Sequence, residues 1–210
     1  MYTFHTTFQD QPALHRLVAA YHGQLSGLSG LDLIPFKWLH LTMQGIGFTD
    51  EVSDTDIAAI TKAVTSRLQS LEPVQLTFTR PVPAPEALQF HVQPADRMRG
   101  IRQAVREAIA DVWGWEMVPD SDQWTPHVSI AYSNSDGPIE PYAEALDSVS
   151  AEPVTITVSH IQLIVLDRDE HVYRWTTKAT IPLHAAGTRS EGASLQLASA
   201  RRIPRLPESR

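Results

Sequence analysis

The chain contains no cysteine in 210 residues. A disulfide framework, a thiolate nucleophile and a zinc-thiolate centre are therefore excluded. The absence fits a reducing cytoplasm, which is the expected location. Long apolar runs are also missing, so no segment approaches membrane-spanning length. Asp10 and the early histidines interrupt the apolar core that a secretory signal would need. Positive charge is scarce as well, the net charge being −7. From Ala185 onward, Arg189, Arg201, Arg202, Arg205 and Arg210 against Glu191 and Glu208 give a tail of +3, which leaves −10 for residues 1–184. An acidic body argues against long duplex nucleic acid, whose binding depends on many Lys and Arg contacts to phosphates. A small phosphate ester needs only a local cluster of donors. The expected partner is such an ester, with no membrane and no cofactor, bound by a monomer.

What is present is periodicity. A short alternating run, Tyr2 to Phe8, precedes a helix from about Gln11 to Leu25, whose Leu14, Leu17, Val18, Tyr21 and Leu25 share one face. Pro35 to Met43 reads as a strand, followed by a loop through Gly45 and Gly47. Asp54 is placed as the cap of a helix running to about Leu71. Strands are expected at Val74 to Arg80 and Ala87 to Gln93, separated by the turn PVPAPE. A second long helix spans about Asp96 to Trp113, with Met98, Ile101, Val105, Ile109 and Val112 inward. The order then repeats: a strand around His127 to Tyr132, a helix near Tyr142 to Val149, and strands Val154 to Ser159, Ile161 to Leu166 and Val172 to Ile181. The expected product is an α+β protein in which two antiparallel sheets face a shared cleft, with helices outside. Lobes are drawn at about residues 1–95 and 96–184, followed by a flexible basic tail at 185–210.

Two segments carry chemistry. In Trp38-Leu39-His40-Leu41-Thr42-Met43 the alternation puts His40 and Thr42 on one face, with Leu39, Leu41 and Met43 toward the core. Pro126-His127-Val128-Ser129-Ile130-Ala131-Tyr132 does the same for His127 and Ser129. Each half thus presents an imidazole beside a hydroxyl on a strand, at equivalent places in the repeated order. The bare tripeptide is weak evidence, because a chain with nine histidines produces it by chance. His5-Thr6-Thr7 is a third match without a repeat partner, and it reads as a surface or supporting residue at a sheet edge. Tyr132 faces the core by alternation unless the strand bulges. Trp38 and Trp124 are candidates for stacking on a base, and core packing is an equal reading for both. His91, His160 and His171 lack a hydroxyl two residues on and read as structural.

WLHLTMQGIGF and TPHVSIAYS resemble the paired His-x-Thr/Ser motifs of the two-histidine phosphoesterase superfamily, in particular the bacterial 2′-5′ RNA ligase-like proteins. The resemblance covers about residues 1–182. It implies a bilobal fold with the motifs facing across a central cleft, and action on 2′,3′-cyclic phosphates or 2′-5′ linkages of a small nucleotide or RNA end. His40 and His127 would be catalytic, and Thr42 and Ser129 would bind the substrate. Two features depart from the pattern. Gln44-Gly45-Ile46-Gly47 replaces the aromatic-Leu-Gly that often follows the first motif, and Tyr132 or its neighbours replace the Arg often found after the second.

The chemistry also stands on its own terms. Opening a cyclic phosphodiester with water needs a base for the nucleophile and an acid for the leaving oxygen, and two imidazoles supply both near neutral pH. Hydroxyls supply donors to the non-bridging oxygens. No metal is then required. Three other readings compete. Ligation would use the same residues in reverse. A zinc site of His40 and His127 with His5 or His91 lacks an HExxH or His-x-His arrangement and an orienting carboxylate. A non-catalytic phosphate- or RNA-binding module would not need both histidines.

Overall fold

The computed structural model describes residues 1–118, 124–167 and 173–184. The tail at 185–210, His171 and the expected start of the last strand at Val172 lie outside the described residues. Among the described residues, ten strands and four α-helices follow in order: β1 (Tyr2–Thr7), α1 (Pro12–Leu25), β2 (Leu31–Leu33), β3 (His40–Gly47), α2 (Asp54–Leu68), β4 (Val74–Phe78), β5 (Val82–Ala84), β6 (Ala87–His91), α3 (Ala95–Trp113), β7 (His127–Ser133), α4 (Glu140–Asp147), β8 (Val154–Val158), β9 (His160–Asp167) and β10 (Arg174–Pro182).

The strands form two four-stranded antiparallel sheets, ordered β10-β9-β1-β3 and β2-β7-β6-β5, and a β4-β8 ribbon. A bridge between Thr77 and Gln93 ties the ribbon to the chain just after β6. Helices α2 and α3 pack together and cover the first sheet, while α1 and α4 pack together beside the second. The expected α+β architecture is therefore present. The division at residue 95 is not where the sheets part. β1 and β3 from the first half join β9 and β10 from the second, and β7 is inserted between β2 and β6. Neither sheet can be assembled from one half of the chain.

Local chemistry explains most boundaries. Along α1 the five expected residues are all buried, and the face of α3 buries Met98, Ile101, Val105 and Ile109, with Val112 only half-buried. Gly114 ends α3 at φ +88°, a conformation that a side chain would disfavour. Ser53 caps α2: its Oγ accepts from the Asp56 N–H at 3.1 Å, so the cap lies one residue before the expected Asp54. Pro35 is followed by a 3₁₀ turn over Phe36–Trp38, and this turn, rather than a strand, leads into β3. Gly45 and Gly47, expected in a loop, lie inside β3. A Cβ on Gly47 would approach a Val52 methyl to 2.7 Å, so the strand needs glycine there. Among the described residues no helix is long and apolar enough to cross a membrane.

A chain of edge-to-face rings runs through the core, Phe8 on Phe78, Phe78 on Phe90 and Phe90 on Tyr21, at centroid separations of 5.8, 5.6 and 5.8 Å. It links the N-terminal segment, the ribbon, the second sheet and α1. Phe90 is fully buried at its middle. Phe90→Ala should therefore lower unfolding stability by roughly 3–5 kcal/mol. Denaturant unfolding checks this, and a loss below about 1 kcal/mol would mean that the rings are not one packed unit.

Candidate active site

β3 and β7 carry the two motifs, one from each sheet, and lie close to each other. His40, Thr42, His127 and Ser129 line one cavity of about 480 Å³, together with Ala84, Pro85, Glu86, Ala87, Gln89, Tyr132 and Tyr173. The alternation that put each imidazole beside its hydroxyl holds in both strands. The volume is within the ordinary range for a small-molecule site.

Both imidazoles are held in the same way. His40 Nδ1 lies 2.8 Å from the Trp38 carbonyl oxygen, and His127 Nδ1 lies 2.8 Å from the Thr125 carbonyl oxygen. A carbonyl only accepts, so each Nδ1 carries a hydrogen and donates it. In the neutral ring, Nε2 is then the unprotonated nitrogen. The environments differ in burial. His40 is only 8% exposed whereas His127 is half-buried. Burial pushes the His40 pKa down to about 4, against a smaller upward pull from the Trp38 carbonyl, and the charge of His127 lowers it further. His40 is thus neutral at pH 7.

Trp38 and Trp124 do not line this cavity. Trp38 packs against Trp175 at 4.7 Å between centroids, under the Lys37 ammonium, and lines a small side recess shared with Tyr132 and Tyr173. Trp124 donates its indole N–H to the Thr42 carbonyl at 3.1 Å and lies beneath the Arg102 guanidinium, which in turn donates to the Met43 carbonyl at 2.9 Å. Trp124 therefore ties the segment leading into β7 to the backbone of β3.

Two tyrosines occupy the cavity wall instead. The β6-β7 register shifts between Leu88 and Gln89, which leaves Ile130 unpaired as a bulge. A bulge inverts the alternation beyond it. Tyr132 thereby joins His127 and Ser129 on the cleft side, where its ring meets Tyr173 at 5.1 Å. Tyr173 in turn lies 5.6 Å from His40. No glycine or proline marks the bulge, so the sequence carries no signal for Tyr132. Gln89 sits directly across from Ser129, and His91 across from His127. The alternation of LQFHV contained that pairing, but nothing in one strand identifies its partner. The unusual residues after the first motif are also explained. A register shift at Met43 pairs Gln44 with the core residue Phe4, and the Gln44 amide oxygen accepts from buried Arg106 at 3.2 Å.

His5 was expected at a sheet edge. β1 is instead flanked by β9 and β3, and His5 is 1% exposed. Its position rests on pairing with β9, some 160 residues away in sequence, which local pattern does not report. Among the described residues no group of three or more His, Asp or Glu is placed to hold a metal ion.

The fold is that of a known class. A family model described as the 2′-5′ RNA ligase superfamily matches residues 8–170, and the chain belongs to that superfamily of two-histidine phosphoesterases. Its fold is similar to that of TT0787 of Thermus thermophilus, with 16% identity over 87% of this chain and 98% of the other and a TM-score of 0.66. It is similar also to E. coli LigT complexed with 3′-AMP, with 15% identity, coverage of 88% and 98%, and a TM-score of 0.64. A crystal structure of a phosphoesterase matches at 16% identity, 88% and 98% coverage and a TM-score of 0.61. No curated protein sequence matches the chain.

The buried histidines make stability depend on acid. Burial lowers the pKa of His40 from 6.5 to about 4, and those of His5 and His22 in the same direction. The unfolded chain then binds protons that the folded state refuses. This contribution is fully present above pH 6.5 and is lost as the pH falls through about 4. His40→Gln should lose less stability than the wild type between those limits, by roughly 3 kcal/mol. Equal losses in wild type and variant across that interval, followed by unfolding titrations, would contradict a lowered His40 pKa in the folded protein.

Proposed function

We propose that the protein hydrolyses a 2′,3′-cyclic phosphate, or a related 2′-linked phosphodiester, on a small nucleotide or RNA end, with His40 and His127 as a metal-independent acid and base pair. The observation that carries this reading is the matched tethering of two imidazoles, one from each sheet, beside Thr42 and Ser129 in one cavity. Membership of the superfamily supports phosphoester chemistry. LigT complexed with 3′-AMP, ATP and NADP+ supports a nucleotide as the ligand.

His40, being neutral at pH 7, takes a proton from the attacking water at Nε2. The water oxygen forms a bond to phosphorus while the ring P–O bond breaks. His127, protonated, delivers a proton to the departing sugar oxygen, so the product is a phosphate monoester with a free neighbouring hydroxyl. Thr42 and Ser129 donate to the non-bridging oxygens, where negative charge grows as phosphorus becomes five-coordinate. Tyr132 and Tyr173 take the stacking role that the sequence suggested for Trp38 and Trp124, because they are the aromatic rings of the cavity wall. Ligation would use the same pair of proton transfers, with a 5′-hydroxyl in place of water as the nucleophile.

His40→Ala or His127→Ala should each lower turnover of 2′,3′-cyclic AMP by roughly two to four orders of magnitude. The double variant should be little worse, because the two groups serve one transition state. Thr42→Ala and Ser129→Ala should each cost roughly one to three orders. In kcat/KM, activity should fall on the acid side as His40 protonates near its value of about 4, and that limb should vanish in His40→Ala. Activity should survive exhaustive chelation. Full activity in His127→Ala, or loss on chelation with restoration by zinc, would remove the mechanism.

A further inference from the structure

β1 brings a third histidine against the first motif. Its register sets His5 directly opposite Thr42 on one side and Gln162 on the other, and opposed side chains in a sheet share a face. His5 therefore lies beneath the cleft, touching both members of the motif. Its ring stacks on His40 with centroids 4.6 Å apart and planes 5° from parallel. Its Nε2 lies 3.2 Å from the Thr42 hydroxyl oxygen. Trp175 closes over it edge-on at 6.1 Å. The other nitrogen, Nδ1, is buried with no hydrogen-bond partner among the described residues.

These contacts fix where the ring carries its hydrogen. Burial, and then the nearby charge of His40, hold the His5 pKa well below the usual histidine value, so the ring is neutral with a single N–H. On Nδ1 that N–H would be a buried donor without an acceptor, which folded proteins avoid more strictly than an unfilled acceptor. On Nε2 it donates to Thr42. A hydroxyl that is already accepting from one side keeps its own hydrogen to give on the other, and the Thr42 side chain opens on the cavity. Without that donor, the hydroxyl could instead satisfy itself by donating away from the cleft.

We propose that His5 is a positioning residue that donates its Nε2–H to Thr42 and thereby commits the Thr42 hydroxyl to donate to a phosphate oxygen bound in the cleft. The stack on His40 holds the same imidazole that the reaction uses. This extends the reading of Thr42 as a phosphate ligand and rests on it.

Two measurements test it. A long-range 1H–15N correlation spectrum of the wild-type protein reports the His5 tautomer without any substitution; Nε2–H is expected, and Nδ1–H overturns the proposal. The second is a cycle of inorganic phosphate binding, followed by NMR titration in the wild type, His5→Phe, Thr42→Val and the double variant. His5→Phe keeps a stacked ring and removes the donor, so it should weaken phosphate binding roughly tenfold. The double variant should bind no more weakly than Thr42→Val, since His5 acts through that hydroxyl. His5→Gln, which keeps an N–H at similar reach, should recover most of the loss. Wild-type affinity in folded His5→Phe, or losses that simply add, would overturn the proposal. No phosphate binding by the wild type would overturn both this proposal and the reading of the cleft. Failure to hydrolyse any cyclic phosphate, with the binding cycle as expected, would remove only the hydrolytic reading.

Discussion

A carbonyl oxygen accepts hydrogen bonds and cannot donate them, and the orientation of both cleft imidazoles follows from that constraint. The Trp38 and Thr125 carbonyls each hold an Nδ1–H at 2.8 Å, which leaves Nε2 of each ring as the nitrogen available for proton transfer. The accepting residue lies two positions before the histidine in both cases. The 3₁₀ turn that follows Pro35 presents the first carbonyl, and the Thr125-Pro126 approach to β7 presents the second. The rest of the site is arranged around these two tethers. Burial keeps His40 neutral, Trp124 ties the approach to β7 onto the Thr42 backbone, and the stacked His5 supports the first ring from below.

The two sheets are joined by more than the cleft. Because β9 returns to flank β1, with β10 outside it, and β7 inserts between β2 and β6, neither sheet is complete before distant parts of the chain have met. Such non-local pairing ties the geometry of the site to the completeness of the core. The aromatic chain from Phe8 to Tyr21 crosses the same junction. A weakened core should therefore show itself as a loosened pair of cleft histidines as well as a lower melting point.

What was legible in the sequence was whatever depends on local period. The inward faces of α1 and α3 follow from spacing of three and four residues, and His40 with Thr42, or His127 with Ser129, follows from strand alternation. What depends on a partner strand was not legible. The bulge at Ile130 turns Tyr132 into the cleft, and no glycine or proline there betrays it. His5 looked like an edge residue because nothing near it in sequence indicates that β9 will cover its other side. Trp38 and Trp124 illustrate the converse. Both stand beside the motifs in sequence, yet one packs on Trp175 and the other braces a backbone carbonyl.

The proposed chemistry requires one phosphate group bound between Nε2 of His40 and Nε2 of His127, with Thr42 and Ser129 on its non-bridging oxygens. A crystal structure of the protein soaked with a 2′- or 3′-nucleoside monophosphate, the product class of the proposed reaction, tests it most directly. Phosphate oxygens are expected within hydrogen-bonding distance, about 2.6–3.2 Å, of both imidazoles and both hydroxyls, with the base against Tyr132 and Tyr173. A phosphate bound elsewhere, or one that touches only a single histidine, would contradict it.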